Sequence, residues 1–281
     1  MDSMSSKLPS IIDIIKQYEL KAEKTLGQNY LIDDNIAQKI VRSAGNIHSH
    51  DILEIGPGPG GLTRVLAESG ARNLILIEKD SQFSEPLQKI VDLYPERVRL
   101  IFGDIMKIDP KPFLRPPVKV IANLPYNIGT QILINFLTNP NWPPYWQELI
   151  LMFQTEVAER IIAKPKTKAF GRLSVISQIR TSAEIILSIP NTVFLPQPKI
   201  DSSVVRIKVL TDDQNYTQIS AVQKLTKQAF NHRRKMLRQT LKGFCPNIIS
   251  VLEEMNIATT ARPEELSVTQ FRVLADKIFL K

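Results

Sequence analysis

A chain of 281 residues, 43% hydrophobic and 23% charged, has the make-up of a folded globular protein with one large domain, or a large one and a small one, rather than of a disordered segment. Its lone Cys245 excludes a disulfide framework or a cysteine-rich zinc site, and His48, His50 and His232 are too few and too scattered for a metal centre, so no metal is expected. The net charge of +8 favours a polyanionic partner such as RNA, DNA or an anionic membrane surface, without choosing among them.

Along the chain, Ile11, Ile12, Ile14 and Ile15, interrupted by Asp13 and Lys16, predict a short docked helix. No export signal precedes them, and no apolar run reaches the roughly 18 residues of a membrane span, so a soluble cytoplasmic protein is expected, with no membrane partner and as a monomer. Between residues 52 and about 125 short apolar runs alternate with helical patterns, which predicts βαβ units and a parallel sheet. The strands are Ile52–Ile55, Asn73–Ile77, Arg97–Phe102 and Lys119–Ala122, with Glu148–Phe153 and Ser203–Val209 extending the sheet. Thr211–Asn215 is a polar break. Beyond it the spacing predicts helices over Lys224–Leu241, Ile248–Met255 and Val268–Phe279, with Gly243 and Pro246 ending the first. The expected architecture is a Rossmann-like, doubly wound α/β domain over residues 1–210 and a small C-terminal helical domain over 211–281.

The first strand runs into Glu54-Ile55-Gly56-Pro57-Gly58-Pro59-Gly60-Gly61. Glycines let a chain turn tightly and approach a ligand, and Gly56, Gly58 and Gly61 satisfy the pattern also used for dinucleotides. Glu78, at the end of the second strand, is placed to hold a ribose diol under either cofactor. Two observations separate the alternatives. Glu54, two residues before the first glycine, is an acidic setting poor for a pyrophosphate and suited to a cofactor with ammonium and sulfonium charges. In addition Gly56, Glu78, Asp104 and Asn123 all close successive parallel strands, whose carboxyl ends face one crevice. A single acidic residue there is ordinary turn chemistry; four such strand ends predict a site for S-adenosylmethionine, with Asp104 toward the adenine amino group.

Asn123-Leu124-Pro125-Tyr126 resembles the catalytic motif of amino-directed methyltransferases, which act on exocyclic amines of nucleobases. The lone pair of such an amine is delocalised into the ring. Acceptors around its hydrogens draw the nitrogen toward a tetrahedral shape. Asn123 supplies a side-chain oxygen and Leu124 a carbonyl. Pro125 fixes the backbone without adding a donor, and Tyr126 offers a ring for a flipped base.

Three further segments carry a closer resemblance. Gly27-Gln28-Asn29-Tyr30-Leu31 is similar to the G-Q-N-F-L motif of ribosomal RNA adenine dimethyltransferases. Ala169–Val175 matches a second segment of that family, and Phe194-Leu195-Pro196-Gln197-Pro198-Lys199-Ile200-Asp201-Ser202 a third. From about residue 24 onward the chain resembles the rRNA adenine N6-methyltransferase family, in particular its small-subunit dimethyltransferases, known for kasugamycin sensitivity. The departures are Tyr30 for Phe, Ile200 for Val and the Pro59-Gly60-Gly61 loop. The resemblance implies cofactor contacts at Asn29, Leu31, Gly56, Glu78, Asp104 and Asn123, with Gln28 and Gly58 beside them. It also implies that Phe194 covers the target adenine opposite Tyr126, although a lone Phe is more often a core residue. The implied activity is dimethylation of two adjacent adenines near the 3′ end of 16S rRNA during assembly of the small ribosomal subunit. A macrolide-resistance enzyme acting on large-subunit RNA, a non-catalytic assembly factor and a dinucleotide oxidoreductase are the alternatives.

On a helix over 224–241, Lys224, Lys227, Arg234, Lys235, Arg238 and the following Lys242 would share a sector about 100° wide, opposite Leu225, Ala229 and Leu237. No acidic residue interrupts this stretch, which predicts phosphate contacts. Lys164, Lys166, Lys168 and Arg172 form a second basic patch, expected on a loop. Lys168, Arg172, Arg234, Lys235 and Arg238 are the candidate RNA-binding residues.

Overall fold

The computed structural model describes residues 8–23, 27–210 and 218–279. Helix α1 (Ile11–Gln17) is capped by the Ser10 hydroxyl, which accepts the Asp13 N–H, and it buries Ile11 and Ile14. The short strand β1 (Tyr30–Leu31) precedes α2 (Asp34–Ser43), whose Asp33 cap accepts the Ile36 N–H. There follow β2 (Asp51–Ile55), α3 (Thr63–Glu68), β3 (Asn73–Glu78), α4 (Ser84–Leu93), β4 (Val98–Phe102), β5 (Val118–Asn123), α5 (Gly129–Leu137), β6 (Glu148–Gln154), α6 (Thr155–Ile162) and α7 (Arg172–Gln178). The remainder is β7 (Thr181–Ile189), β8 (Phe194–Leu195), β9 (Ser202–Val209), α8 (Ile219–Asn231), α9 (Leu237–Thr240), α10 (Ile248–Glu254) and α11 (Val268–Phe279).

The main sheet has seven strands in the order β4-β3-β2-β5-β6-β9-β7. Strands β4 through β6 in that order run parallel, and β9 is antiparallel to β6. Every residue of β2 is buried, as is nearly all of β5 and β6, because helices cover both faces of a parallel sheet. The six predicted strands lie within a residue of their expected bounds. The edge strand β7 was not predicted: its sequence, Thr181–Ile189, is mostly half-exposed and shows no clean alternation. Strands β1 and β8 form a separate antiparallel pair, Tyr30 opposite Leu195 and Leu31 opposite Phe194. Among the described residues no helix is long and apolar enough to cross a membrane.

The chain forms two compact units. The first takes in the described residues up to 133 together with 144–158 and 184–208, and holds the parallel strands. The second resumes at Val209, next to the expected cut, but also draws in 134–143 and 159–183. Aromatic packing explains the recruitment of 159–183: Phe170 meets Phe230 edge-on at 6.2 Å, and Phe230 stacks on Phe271 at 5.5 Å.

The helix expected over 224–241 is broken. It ends at Asn231, and Met236 is extended before α9 begins. The Leu237 N–H is taken by the Ala261 carbonyl at 2.9 Å, which turns Leu237 and Leu241 into the core. The basic residues therefore share no single helical face. Lys224 and Lys227 are on α8, Arg234 and Lys235 on the turn, and Arg238 on α9; Arg172, expected on a loop, opens α7.

Candidate active site

The parallel register brings the carboxyl ends of the strands level. Ile55 lies opposite Ile77, Glu78 opposite Phe102, and Asn123 opposite Met152. The Gly56 N–H donates to the Ile77 carbonyl at 2.9 Å, so the glycine-rich loop leaves the sheet beside Glu78. A cleft opens over these ends, where open α/β sheets hold their ligands. It is lined by the loop Gly27–Leu31, the loop Gly56–Leu62, Glu54, Glu78 and Asn123–Tyr126.

Two loops far apart in sequence interlock at its wall. A Cβ on Gly61 would lie 2.2 Å from the Leu31 carbonyl oxygen, so only glycine admits this approach. Gln28 fastens the same wall. Its Oε1 accepts from the Glu23 N–H at 2.9 Å and the Tyr30 hydroxyl at 3.1 Å, while its Nε2 donates to Asp80 at 3.1 Å. The Tyr30 hydroxyl therefore has a partner that a Phe at this position would forgo. Its ring packs edge-on against Phe83 at 5.6 Å.

The Asn123 side chain is held from one side only. Its Nδ2 donates to the Asn29 carbonyl at 3.2 Å. A carbonyl can only accept, so this contact fixes which way the amide faces and leaves Oδ1 as an acceptor. Among the described residues, nothing donates to that oxygen. Pro125 then starts a turn in which its carbonyl accepts from Ile128 and Gly129, leading into α5. The half-buried Tyr126 shares a 2.6 Å hydrogen bond between its hydroxyl and that of Ser202. The last residue of the third motif thus steadies the ring of the catalytic motif, 76 positions away.

The carboxyls differ in their surroundings. Glu78 is buried, which raises its pKa, but three backbone N–H groups offset this: Oε2 accepts from Gly58 at 3.0 Å, and Oε1 from Lys79 at 2.7 Å and Asp80 at 2.8 Å. Glu54 is 1% exposed and its Oε2 has no hydrogen-bond partner. Burial pushes its carboxyl up to about 8, with Thr63 drawing it back and Glu78 adding to the rise. Burial thus favours the neutral carboxyl at pH 7 over the standing negative charge expected from sequence.

A family model described as ribosomal RNA adenine dimethylase matches residues 19–278. The chain belongs to the ribosomal RNA adenine dimethylase family. Among its relatives is a protein named ribosomal RNA small subunit methyltransferase A from Paracoccus denitrificans, 47% identical over 268 residues and 95% of each chain. One of the same name from Dinoroseobacter shibae is 46% identical over 271 residues, 96% of this chain and 97% of the relative. Of solved structures, a dimethyladenosine transferase from Plasmodium falciparum superposes with a TM-score of 0.73 at 24% identity, covering 86% of this chain and 94% of the other. The 23S rRNA methyltransferase ErmE gives 0.67 at 21%, covering 89% and 99%. At those identities the two structures support the fold alone.

The cofactor of this dimethylase is S-adenosylmethionine, and the cleft fits it. The unpaired, buried Glu54 oxygen is an acceptor that the cofactor's ammonium would satisfy, and Glu78 retains acceptor capacity for a hydroxyl. Gln28, Asn29, Leu31, Gly56, Gly58, Glu78 and Asn123–Tyr126, all named from sequence, line the cleft. Asp104 and Phe194 do not. Asp104 Oδ2 pairs with Lys79 at 3.1 Å and Oδ1 accepts the Met106 N–H at 2.9 Å, and these contacts lower its pKa. Phe194 is 2% exposed and sits in the core, as β8 against β1. Gly27, Tyr30, Phe83 and Ser202 were missed. Ser202 stood inside a recognised motif, whereas no sequence signal marked Phe83.

Proposed function

We infer that this protein transfers methyl groups from S-adenosylmethionine to the N6 amino groups of two adjacent adenines near the 3′ end of small-subunit rRNA. The observation that carries the reading is the Asn123 amide, tethered through Nδ2 at the rim of the cofactor cleft with Oδ1 left to accept. Bound cofactor supplies a methyl group already activated on sulfur. The protein's share is to hold the target nitrogen. Asn123 Oδ1 and the Leu124 carbonyl accept the two amino hydrogens and localise the nitrogen lone pair. The Tyr126 ring, braced by Ser202, is the stacking face for the flipped adenine, while Phe194 supports β1 from the core. With the methyl donor already activated, positioning does most of the work; the methylated nitrogen is briefly cationic and acidic enough to release its extra proton to solvent, so no strong general base is needed.

For the RNA, we propose phosphate contacts on the second unit, from the exposed Lys168, Arg172, Arg234 and Lys235 and the half-buried Arg238. The small ribosomal subunit is the partner, and the enzyme works as a cytoplasmic monomer. Methylation of stripped small and large subunits with labelled cofactor tests the substrate, and label confined to the large subunit overturns it. Asn123→Ala tests the chemistry. It is expected to lower the rate about 10²–10³-fold, the effect of removing one preorganised group, with subunit binding intact.

A further inference from the structure

Gly27 opens the first motif, yet neither the cofactor nor the RNA assignments give it a task. Its surroundings do. The Gly27 carbonyl accepts from the backbone N–H of Tyr126 at 3.4 Å and from Asn29 Nδ2 at 3.2 Å. Two residues on, the Asn29 carbonyl holds the Asn123 amide at 3.2 Å. One turn thus presents two carbonyls to the Asn123–Tyr126 loop, and each meets a different residue of that loop.

The turn requires glycine twice over. Its φ of +66° is left-handed, which L side chains rarely adopt. A Cβ built there would stand 3.0 Å from the Asn127 nitrogen and 3.3 Å from the Tyr126 nitrogen. Both are backbone atoms at the end of the catalytic loop, so an added side chain forces a shift of a few tenths of an ångström between that loop and the turn.

We propose that Gly27 is a positioning residue for methyl transfer: its turn sets the Tyr126 backbone and, through the Asn29 carbonyl, the direction in which Asn123 Oδ1 faces. This rests on the reading of Asn123 as the amine acceptor. It also gives the first motif a second task, because the segment that walls the cofactor cleft is the one that aligns the acceptor.

The test uses the full-length chain with Gly27→Ala and Gly27→Asn. Cofactor affinity is measured by calorimetry, and turnover on stripped small subunits at saturating cofactor. Gly27→Ala is expected to slow turnover about tenfold, short of the roughly 10²-fold of a full ångström because relief takes a few tenths of one, while cofactor affinity changes less than about threefold. Asn tolerates the left-handed conformation but carries the same Cβ, so Gly27→Asn should be comparably slow, and it decides the matter if the alanine variant does not fold. Wild-type turnover in Gly27→Asn would show that only the backbone angle matters and overturn the proposal. So would unchanged turnover in Gly27→Ala, or a fall in affinity matching the fall in rate. Asn123→Ala, assayed alongside, separates the premise: if that variant keeps its activity, the acceptor reading fails, and this proposal with it, whatever Gly27 shows.

Discussion

At Glu54 a carboxyl is shut away from water with one oxygen unpaired, at the wall of a cleft that takes a cationic cofactor. In the unfolded chain the same group has the ordinary value of 4.5. Folding raises it to about 8, so between those values the folded state keeps a proton that the unfolded state has released. Stability from this site is therefore full below about 4.5 and declines as pH rises, by about 1.4 kcal/mol for each unit crossed, until about 8. Glu54→Gln keeps the shape and removes the titration. The cofactor-free variant should gain melting temperature relative to wild type as pH goes from 5 to 8. Parallel curves for the two proteins across that range would mean that Glu54 ionises freely and that burial does not govern it. Sequence placed Glu54 at the site, but its charge state depends on desolvation by the finished fold. Asp104 makes a similar point. Its place at a strand end was legible, but spacing does not reveal that Lys79 and the Met106 N–H engage its carboxylate.

Whole elements were easiest to read where burial on both faces writes a continuous apolar run, as in β3 and β6. They were hardest where a distant partner decides the outcome. The residues of 224–241 all tolerate a helix, and nothing local announces that the Ala261 carbonyl will take the Leu237 N–H and end it early. The contact between Tyr126 and Ser202 is equally invisible to periodicity. The break between α8 and α9 gives Arg233 a task of its own. Its guanidinium donates to the Lys168 carbonyl at 2.8 Å and the Thr167 carbonyl at 3.1 Å, and faces Glu264 at 3.8 Å. The Glu264 carbonyl in turn accepts the Lys166 N–H at 2.7 Å. Arg233 thus fastens the loop bearing Lys166 and Lys168, and its exposed neighbours Arg234 and Lys235 are left for phosphates. A lysine keeps the charge but lacks the planar fork, so Arg233→Lys should weaken RNA binding nearly as much as Arg233→Gln. Arg234→Lys should be mild, and Arg234→Gln should lower the salt slope of binding by about one. Titrations of RNA affinity against salt separate the cases. Wild-type affinity in Arg233→Lys would place Arg233 among the phosphate contacts instead.

Across the first unit, the two ends of the parallel strands treat charge in opposite ways. The carboxyl ends leave Glu54 unpaired for a ligand. At the amino ends the buried Asp51, Lys119 and Glu148 each have a partner. Asp51 accepts from Arg72 Nε at 2.7 Å, Asn73 Nδ2 at 2.8 Å and the Arg115 N–H at 2.7 Å. Glu148, at the start of β6, pairs with Lys119 on β5 at 2.9 Å and with Arg206 on β9 at 2.9 Å, tying together three adjacent strands. Lys119 is only 8% exposed, and without Glu148 its ammonium keeps the Ala44 carbonyl but no counter-charge. Removing one partner of a buried pair costs about 3–5 kcal/mol, because the remaining charge keeps its desolvation penalty without its compensation. Glu148→Ala should accordingly lower the melting temperature by about 10 °C, at the few degrees per kcal/mol usual for domains of this size. Cofactor affinity at temperatures where the variant is folded should stay within about threefold of wild type, because independent sites contribute additively. Asn123 closes β5 at the end opposite Lys119, which keeps the two groups apart. A variant that melted normally would show that solvent reaches Lys119 and Arg206 in solution. One that melted low and also lost cofactor affinity would mean that the sheet transmits disorder from its amino ends to the cleft.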